Sequence, residues 1–154
     1  MSQRFSTASM RLYYAVETSA GTRPTSGLVK IPEVKSIPSF NPAPETIQST
    51  PLEETEYHTY VEGLKDLGGA LEFGANLTED LITAWGTCNT AHDGLTGGKA
   101  MWFELFYNDS TMKSFYFTGR PADLSYGGAD VDEVLENTAY VIIEGEPEWG
   151  TAST

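Results

Sequence analysis

Positive charge is scarce in this chain: nine Lys and Arg stand against 22 Asp and Glu, for a formal net charge of −13 over 154 residues. Binding to nucleic acid needs Lys and Arg to displace the counterions condensed on phosphates, so such a surface repels it. A single cysteine, Cys88, excludes an internal disulfide. No apolar run approaches the length needed to span a bilayer. The start, M-S-Q-R-F-S-T-A-S-M, lacks the apolar core of a secretory signal, and the expectation is a chain made and kept in a cytoplasm. Walker and Rossmann glycine patterns, a Gly-x-Ser-x-Gly elbow and a Cys-x-x-Cys pair are all missing.

Chemistry-bearing residues are few and scattered. His58 and His92 are far apart in sequence, and each reads as a solvent-exposed loop histidine rather than a ligand or a base. The acidic runs Glu53-Glu54-Thr55-Glu56 and Asp130-Val131-Asp132-Glu133 lack the D-x-[DN]-x-[DN]-G spacing of a calcium loop and read as solvated charge. Neither a cofactor, a metal nor a catalytic residue is expected, and the chain does not read as an enzyme.

What is present points to β structure. Hydrophobic residues make up 40% and aromatics 12%, ordinary for one globular domain and favourable to strands. Arg11 to Glu17 alternates and makes a first strand. Leu28 to Phe40 carries Val29, Ile31, Val34 and Ile37, but Pro32 and Pro38 confine it to edge or bulged geometry. Asn41 to Tyr60, with Pro42, Pro44 and Pro51, reads as a long connection, and loops of that size are usually functional. Ala70 to Leu77 alternates, with Leu71, Phe73, Ala75 and Leu77 facing a core and Glu72, Gly74 and Asn76 turned away.

Thr78 then caps the one helix, with Glu79 and Asp80 in its first turn. Leu81, Ile82, Trp85 and Cys88 form its apolar face, and the helix is expected to fade from Asn89. Ala100 to Tyr107 and Thr111 to Thr118 flank Asn108-Asp109-Ser110 as a hairpin. Gly119-Arg120-Pro121 reads as a break before a short strand near Ala122 to Tyr126, and Asn137 to Gly145 as the closing strand. The fold class is therefore mainly β: a β-sandwich or open barrel with one flanking α-helix and a long Pro-containing loop. The domain spans 1–154, with mobile arms at 1–10 and 150–154 and the loop at 41–60.

The run E-T-I-Q-S-T-P-L-E-E-T-E-Y-H-T-Y-V-E-G-L-K-D-L-G-G-A-L-E-F resembles the major tail protein, or tail tube protein, of long-tailed bacteriophages. The family pattern falls on Ile47, Thr50, Leu52 and Thr55, then Thr59 to Asp66, then Leu71 to Phe73. Gln48 and Glu62 depart from it, where the family often has an acidic residue and a proline. The resemblance implies a structural virion protein whose copies form hexameric rings, stacked into a hollow tail through which DNA passes without specific binding. Tape-measure, tail-terminator and baseplate or distal tail proteins are the implied partners, with no membrane. A tube of a contractile injection or type VI secretion apparatus is the first alternative, and an unrelated β-sandwich binding module the second.

Two groups of residues follow from that implication. Glu45, Ile47, Thr50, Leu52, Glu53, Glu54, Thr55, Tyr57 and Tyr60 are candidates for contacts between subunits or rings. Glu72 and Glu104, which alternate away from the core faces of their strands, are candidates for an acidic lumen wall.

Overall fold

The computed structural model describes residues 10–40, 44–48, 52, 60–65, 70–107, 113–124, 135–145 and 147–152, with backbone alone at 44–47 and 60–65. In chain order the elements are β1 (Arg11–Val16), β2 (Val29–Lys30), β3 (Val34–Ser36), β4 (Pro44–Gln48), β5 (Tyr60–Lys65), β6 (Ala70–Asn76), α1 (Glu79–Asp93), β7 (Met101–Phe106), β8 (Lys113–Pro121), β9 (Glu136–Ile143) and β10 (Glu148–Thr151). The main sheet is antiparallel, curled into a half-barrel, and runs β2-β1-β7-β8-β9-β6-β3, with β10 joined to β8. The expected mainly β fold with one helix is what forms.

β2 and β3 are consecutive in the chain yet lie at opposite ends of that order. The segment Val29–Ser36 therefore hydrogen-bonds first to one edge of the sheet and then to the other. Lys30 pairs with Tyr13, and Ile31 N–H donates to the Leu12 carbonyl at 2.9 Å. Past Pro32 the Glu33 carbonyl accepts from Asn76 N–H at 3.0 Å, and Val34 pairs with Ala75. Glu33 turns this corner with φ 65°, a left-handed conformation that costs a non-glycine residue roughly 1–2 kcal/mol. The segment keeps to edge and bulged geometry, as its prolines lead one to expect, with a register shift between Val34 and Ser36. An ion pair from Lys35 to Glu136 ties β3 across to β9.

β8 is the longest strand at nine residues and has partners along both sides. Leu105 to Trp102 of β7 line one side. On the other, its first half takes β10 and its last residues take β9. Gly119-Arg120-Pro121, expected as a break, instead continues the strand. Gly119 is required there because a Cβ would lie 2.6 Å from Val141 Cγ1. Pro121 ends the strand, where its missing N–H costs least. The tail expected to be mobile past Gly150 is likewise held, since Gly150 and Thr151 pair with Ser114 and Lys113. Residues 1–9 and 153–154 lie outside the described residues.

One face of the sheet closes over the core. Leu12, Phe73, Met101, Phe103, Phe117 and Val141 are all but inaccessible, and Phe103 and Phe117 stack with centroids 5.4 Å apart. α1 covers this face with Leu81, Trp85 and Cys88. Thr78 Oγ1 accepts the Leu81 N–H at 3.2 Å, the expected cap. Trp85 Nε1 donates to the Ala122 carbonyl at 2.6 Å, which fastens the helix to the end of β8. The helix runs one turn beyond the expected end at Asn89, and Gly94 N–H closes it on the Thr90 carbonyl.

Ile82 corrects the expected apolar face: it is 53% exposed. The buried positions Leu81, Trp85 and Cys88 recur at spacings of four and three, and Ile82 is turned about 100° away from Leu81. Cys88 is buried with Sγ 3.6 Å from Met101 Sδ, and burial pushes its thiol up to about 12, so it behaves as a small hydrophobe. Trp85→Ala should destabilise the subunit by about 3–5 kcal/mol, as a large core side chain lost. Ile82→Ala should stay within about 0.5 kcal/mol. Chemical denaturation of both variants separates the two faces, and equal losses would show the helix docked the other way round.

Candidate assembly surfaces

Across β1, β7, β8 and β10 the side chains opposite the core form rungs set by register. One rung reads Lys30, Tyr13, Glu104, Tyr116, Glu148. Glu104 sits at its centre with no accessible surface. Tyr116 Oη lies 2.6 Å from both Glu104 Oε2 and the Thr151 carbonyl. Above the Tyr116 ring the Arg23 guanidinium lies 3.9 Å from the centroid and pairs with Glu148 at 2.9 Å. This corrects the expectation for Glu104: its carboxylate points away from the helix, as alternation requires, but is enclosed within the subunit and cannot line a lumen. Alternation reports which face a side chain takes. It is blind to the connection after β1 that brings Arg23 over that face.

Glu72 is exposed and pairs in register with Tyr140. Arg120 is also exposed and opposes Ile142, which shares a face with Tyr140. The far face near β6 and β9 therefore carries both signs, with Glu72 and Glu136 on it as well as Arg120.

A second buried carboxylate had no sequence signal. Glu17, just past β1, is 4% exposed and accepts three hydrogen bonds: from Ala100 N–H at 2.8 Å, Trp102 Nε1 at 2.9 Å and Gly21 N–H at 3.1 Å. It fastens the turn after β1 to the entry of β7. Desolvation alone would raise its pKa, but the three donors outweigh it and hold the carboxyl below its ordinary value of 4.5.

At the open end of the core lies an apolar groove of about 880 Å³ whose lining includes Ile37, Phe40, Leu105, Tyr107, Phe115 and Trp149. Trp149 belongs to the rung Leu12, Leu105, Phe115, Trp149, yet it is 54% exposed because the core ends there. Its ring meets Phe115 edge-on at 5.0 Å and stacks on Tyr107 at 6.1 Å. Burial raises the Tyr107 hydroxyl pKa.

The expected long loop at 41–60 is in part a hairpin. β4 and β5 pair antiparallel, Ile47 with Val61 and Gln48 with Tyr60, as a two-stranded sheet separate from the main one. Pro44 is tolerated because it begins its strand. Of the candidate contact residues, Glu45 and Ile47 lie in β4 and Tyr60 opens β5. Leu52, on the connection between them, is fully exposed. Thr50, Glu53, Glu54, Thr55 and Tyr57 lie outside the described residues, as do the hairpin tip 108–112 and the acidic run 130–133.

His92 Nε2 lies 4.0 Å from Glu144 Oε1. Among the described residues no cluster of three or more His, Cys, Asp or Glu is placed to hold a metal.

No protein-family model and no curated protein matches the chain. Solved structures do. A chain of the cryo-EM structure of the anti-feeding prophage baseplate, 6-fold symmetrised, is similar with TM-score 0.62 and 13% identity, over 96% of this chain and 97% of that one. A chain of the anti-feeding prophage cap, which terminates the tube, matches with TM-score 0.54 and 11% identity over 99% and 95%. A chain of the sheath and tube terminator of an extracellular contractile injection system, PVC, in its extended state, matches with TM-score 0.53 and 11% identity over 90% and 93%. At these identities the likeness is one of fold, and it runs the length of both chains.

Glu17→Ala should leave three donors without a partner at about 1–3 kcal/mol each, less whatever water recovers. In the wild type, a carboxyl held below its ordinary pKa stabilises the fold above that pKa, and the contribution disappears as pH falls through the folded value. Unfolding free energies from pH 7 down to pH 3 should therefore fall more steeply for wild type than for Glu17→Gln. Parallel curves would remove this carboxylate from the acid response.

Proposed function

We propose that this chain is a structural subunit of a phage-tail-like particle, of the tail tube type, whose copies join into rings that stack around a lumen. The observation that carries this reading is the full-length fold likeness to a chain of a six-fold symmetrised baseplate. The sequence resemblance to major tail proteins supports it independently, through the residues from Glu45 to Phe73. The two-stranded β4–β5 sheet fits as well, because an isolated hairpin is marginally stable in water and gains from a neighbour. In this reading DNA passes through the lumen without a binding site, the particle is the location of the mature protein, and its partners are other tail components.

A second reading has its own support: the matched chains belong to contractile injection particles and to structures that end a tube. The same subunit would then serve an injection apparatus, as an inner tube or terminating ring. A tube protein stacks on both faces, which gives an open filament, while a terminator forms one closed ring. Both readings give the protein a structural and not an enzymatic role.

Negative-stain microscopy of the concentrated full chain separates these outcomes. Stacked rings or tubes are expected; single rings would select the terminator, and a monomer at every concentration would refute assembly altogether. Hydrogen exchange should show β4 and β5 more protected in the assembly than in the free subunit, and equal protection would remove them from the contacts. If Glu72 faces the lumen, Glu72→Lys should leave folding intact, and the lumen of the assembled tube should then retain added DNA that the wild type excludes.

A further inference from the structure

Acids outnumber cations more than twofold in this chain, so a cation left without an acid is unexpected. Arg23 pairs with Glu148, and Lys35 with Glu136. Arg11 and Lys30 differ. Both line one cavity of about 280 Å³ at the β2 end of the sheet, with Leu12, Ile31 and Glu33 among its other walls. Among the described residues, neither makes an ion pair or a side-chain hydrogen bond.

Register puts the two cations on one face. Lys30 pairs with Tyr13, and Arg11 stands two residues before Tyr13 on β1. Diagonal neighbours of this kind lie about 7–8 Å apart, so two long side chains can reach one group between them. Left to themselves, neighbouring like charges weaken a strand pair. The acid nearest in register is Glu104, which is two strands from Lys30 and enclosed. Glu33 is in the cavity wall, but its Oε2 accepts from Asn76 Nδ2 at 3.3 Å, on the opposite edge of the sheet.

We propose that this cavity is a site for a compact oxyanion, a carboxylate or a phosphate, held between Arg11 and Lys30. A guanidinium presents two parallel N–H donors that match the oxygens of either group, and an ammonium adds a point charge beside them. The volume falls below the range of about 300–1,000 Å³ in which larger ligands are enclosed. With Glu33 in the wall the cavity has one net positive charge, which suits a single anionic group and not a run of phosphates. The site goes beyond the assembly reading and does not depend on it.

The test is a titration of the isotope-labelled full chain, below the concentration at which it assembles, with acetate and with inorganic phosphate at constant ionic strength. Amide shifts at Leu12 and Ile31 should follow a saturating curve. Arg11→Gln and Lys30→Gln should each raise the apparent Kd about three- to fivefold, the scale of one exposed ion pair. The double variant should abolish saturation. Lys99→Gln removes an exposed cation outside the cavity and should bind as the wild type does. Lys30 is exposed on an edge strand, so its variant decides the matter even where Arg11→Gln fails to fold.

Saturation by both probes supports a site for either group, and saturation by one alone assigns it to carboxylate or to phosphate. Shifts that stay linear with both probes would overturn the proposal. So would saturation that Lys30→Gln leaves as strong as Lys99→Gln does.

Discussion

The whole sheet depends on one eight-residue segment that pairs with both of its ends. Without Val29–Ser36 the order β1-β7-β8-β9-β6 would be an open sheet with two bare edges, each a template for unwanted pairing. With it, one edge is covered as far as Ile31 and the other from Glu33 onward. The left-handed turn at Glu33 is the local cost of that closure. It is offset by the burial of Ile31, which the turn places in the core at 2% exposure. The curl it imposes gives the concave side that α1 fills. Trp85 joins that filling to the end of β8, so sheet closure and helix docking rest on each other.

Much of this was legible in the order of the residues. Alternation in Ala70–Asn76 identifies a strand and its core face because the other side is wet, whereas β1 alternates in sequence although both of its faces are covered. Thr78 with Glu79 and Asp80 marks the helix start for local reasons that no tertiary contact overrides. Where the reading failed, a long-range contact decided. Gly119 looks like punctuation in sequence, but its lack of a side chain is what lets β9 approach β8. Ile82 and Leu81 are equally apolar, and it is Leu81 that shares the buried face with Trp85 and Cys88 while Ile82 stays exposed.

The candidate surfaces were legible to a lesser degree. Glu72 follows from period two alone. Glu104 obeys the same period and is still enclosed, since Arg23, far away in sequence, lies over its neighbour Tyr116. Glu17 could not have been singled out, because its three donors come from the turn at Gly21 and from the entry to β7. The groove arises where β3, β7, β8 and β10 end together, and no single stretch encodes that coincidence.

The attachment of β10 also sets how the subunit yields to force. Four register pairs hold it to β8, from Glu148 opposite Tyr116 to Thr151 opposite Lys113. A load drawn along the strand axis strains those rungs together, with the Arg23–Glu148 pair and the Trp149–Phe115 contact adding resistance. The same load applied across the strand opens them one after another, from whichever end takes the load. Releasing β10 breaks neither the β7–β8 nor the β8–β9 ladder, so the remaining sheet keeps its shape. β10 is in this sense a detachable seam: transverse tension on it is borne by four rungs taken singly, while the β7–β8 and β8–β9 ladders stay closed.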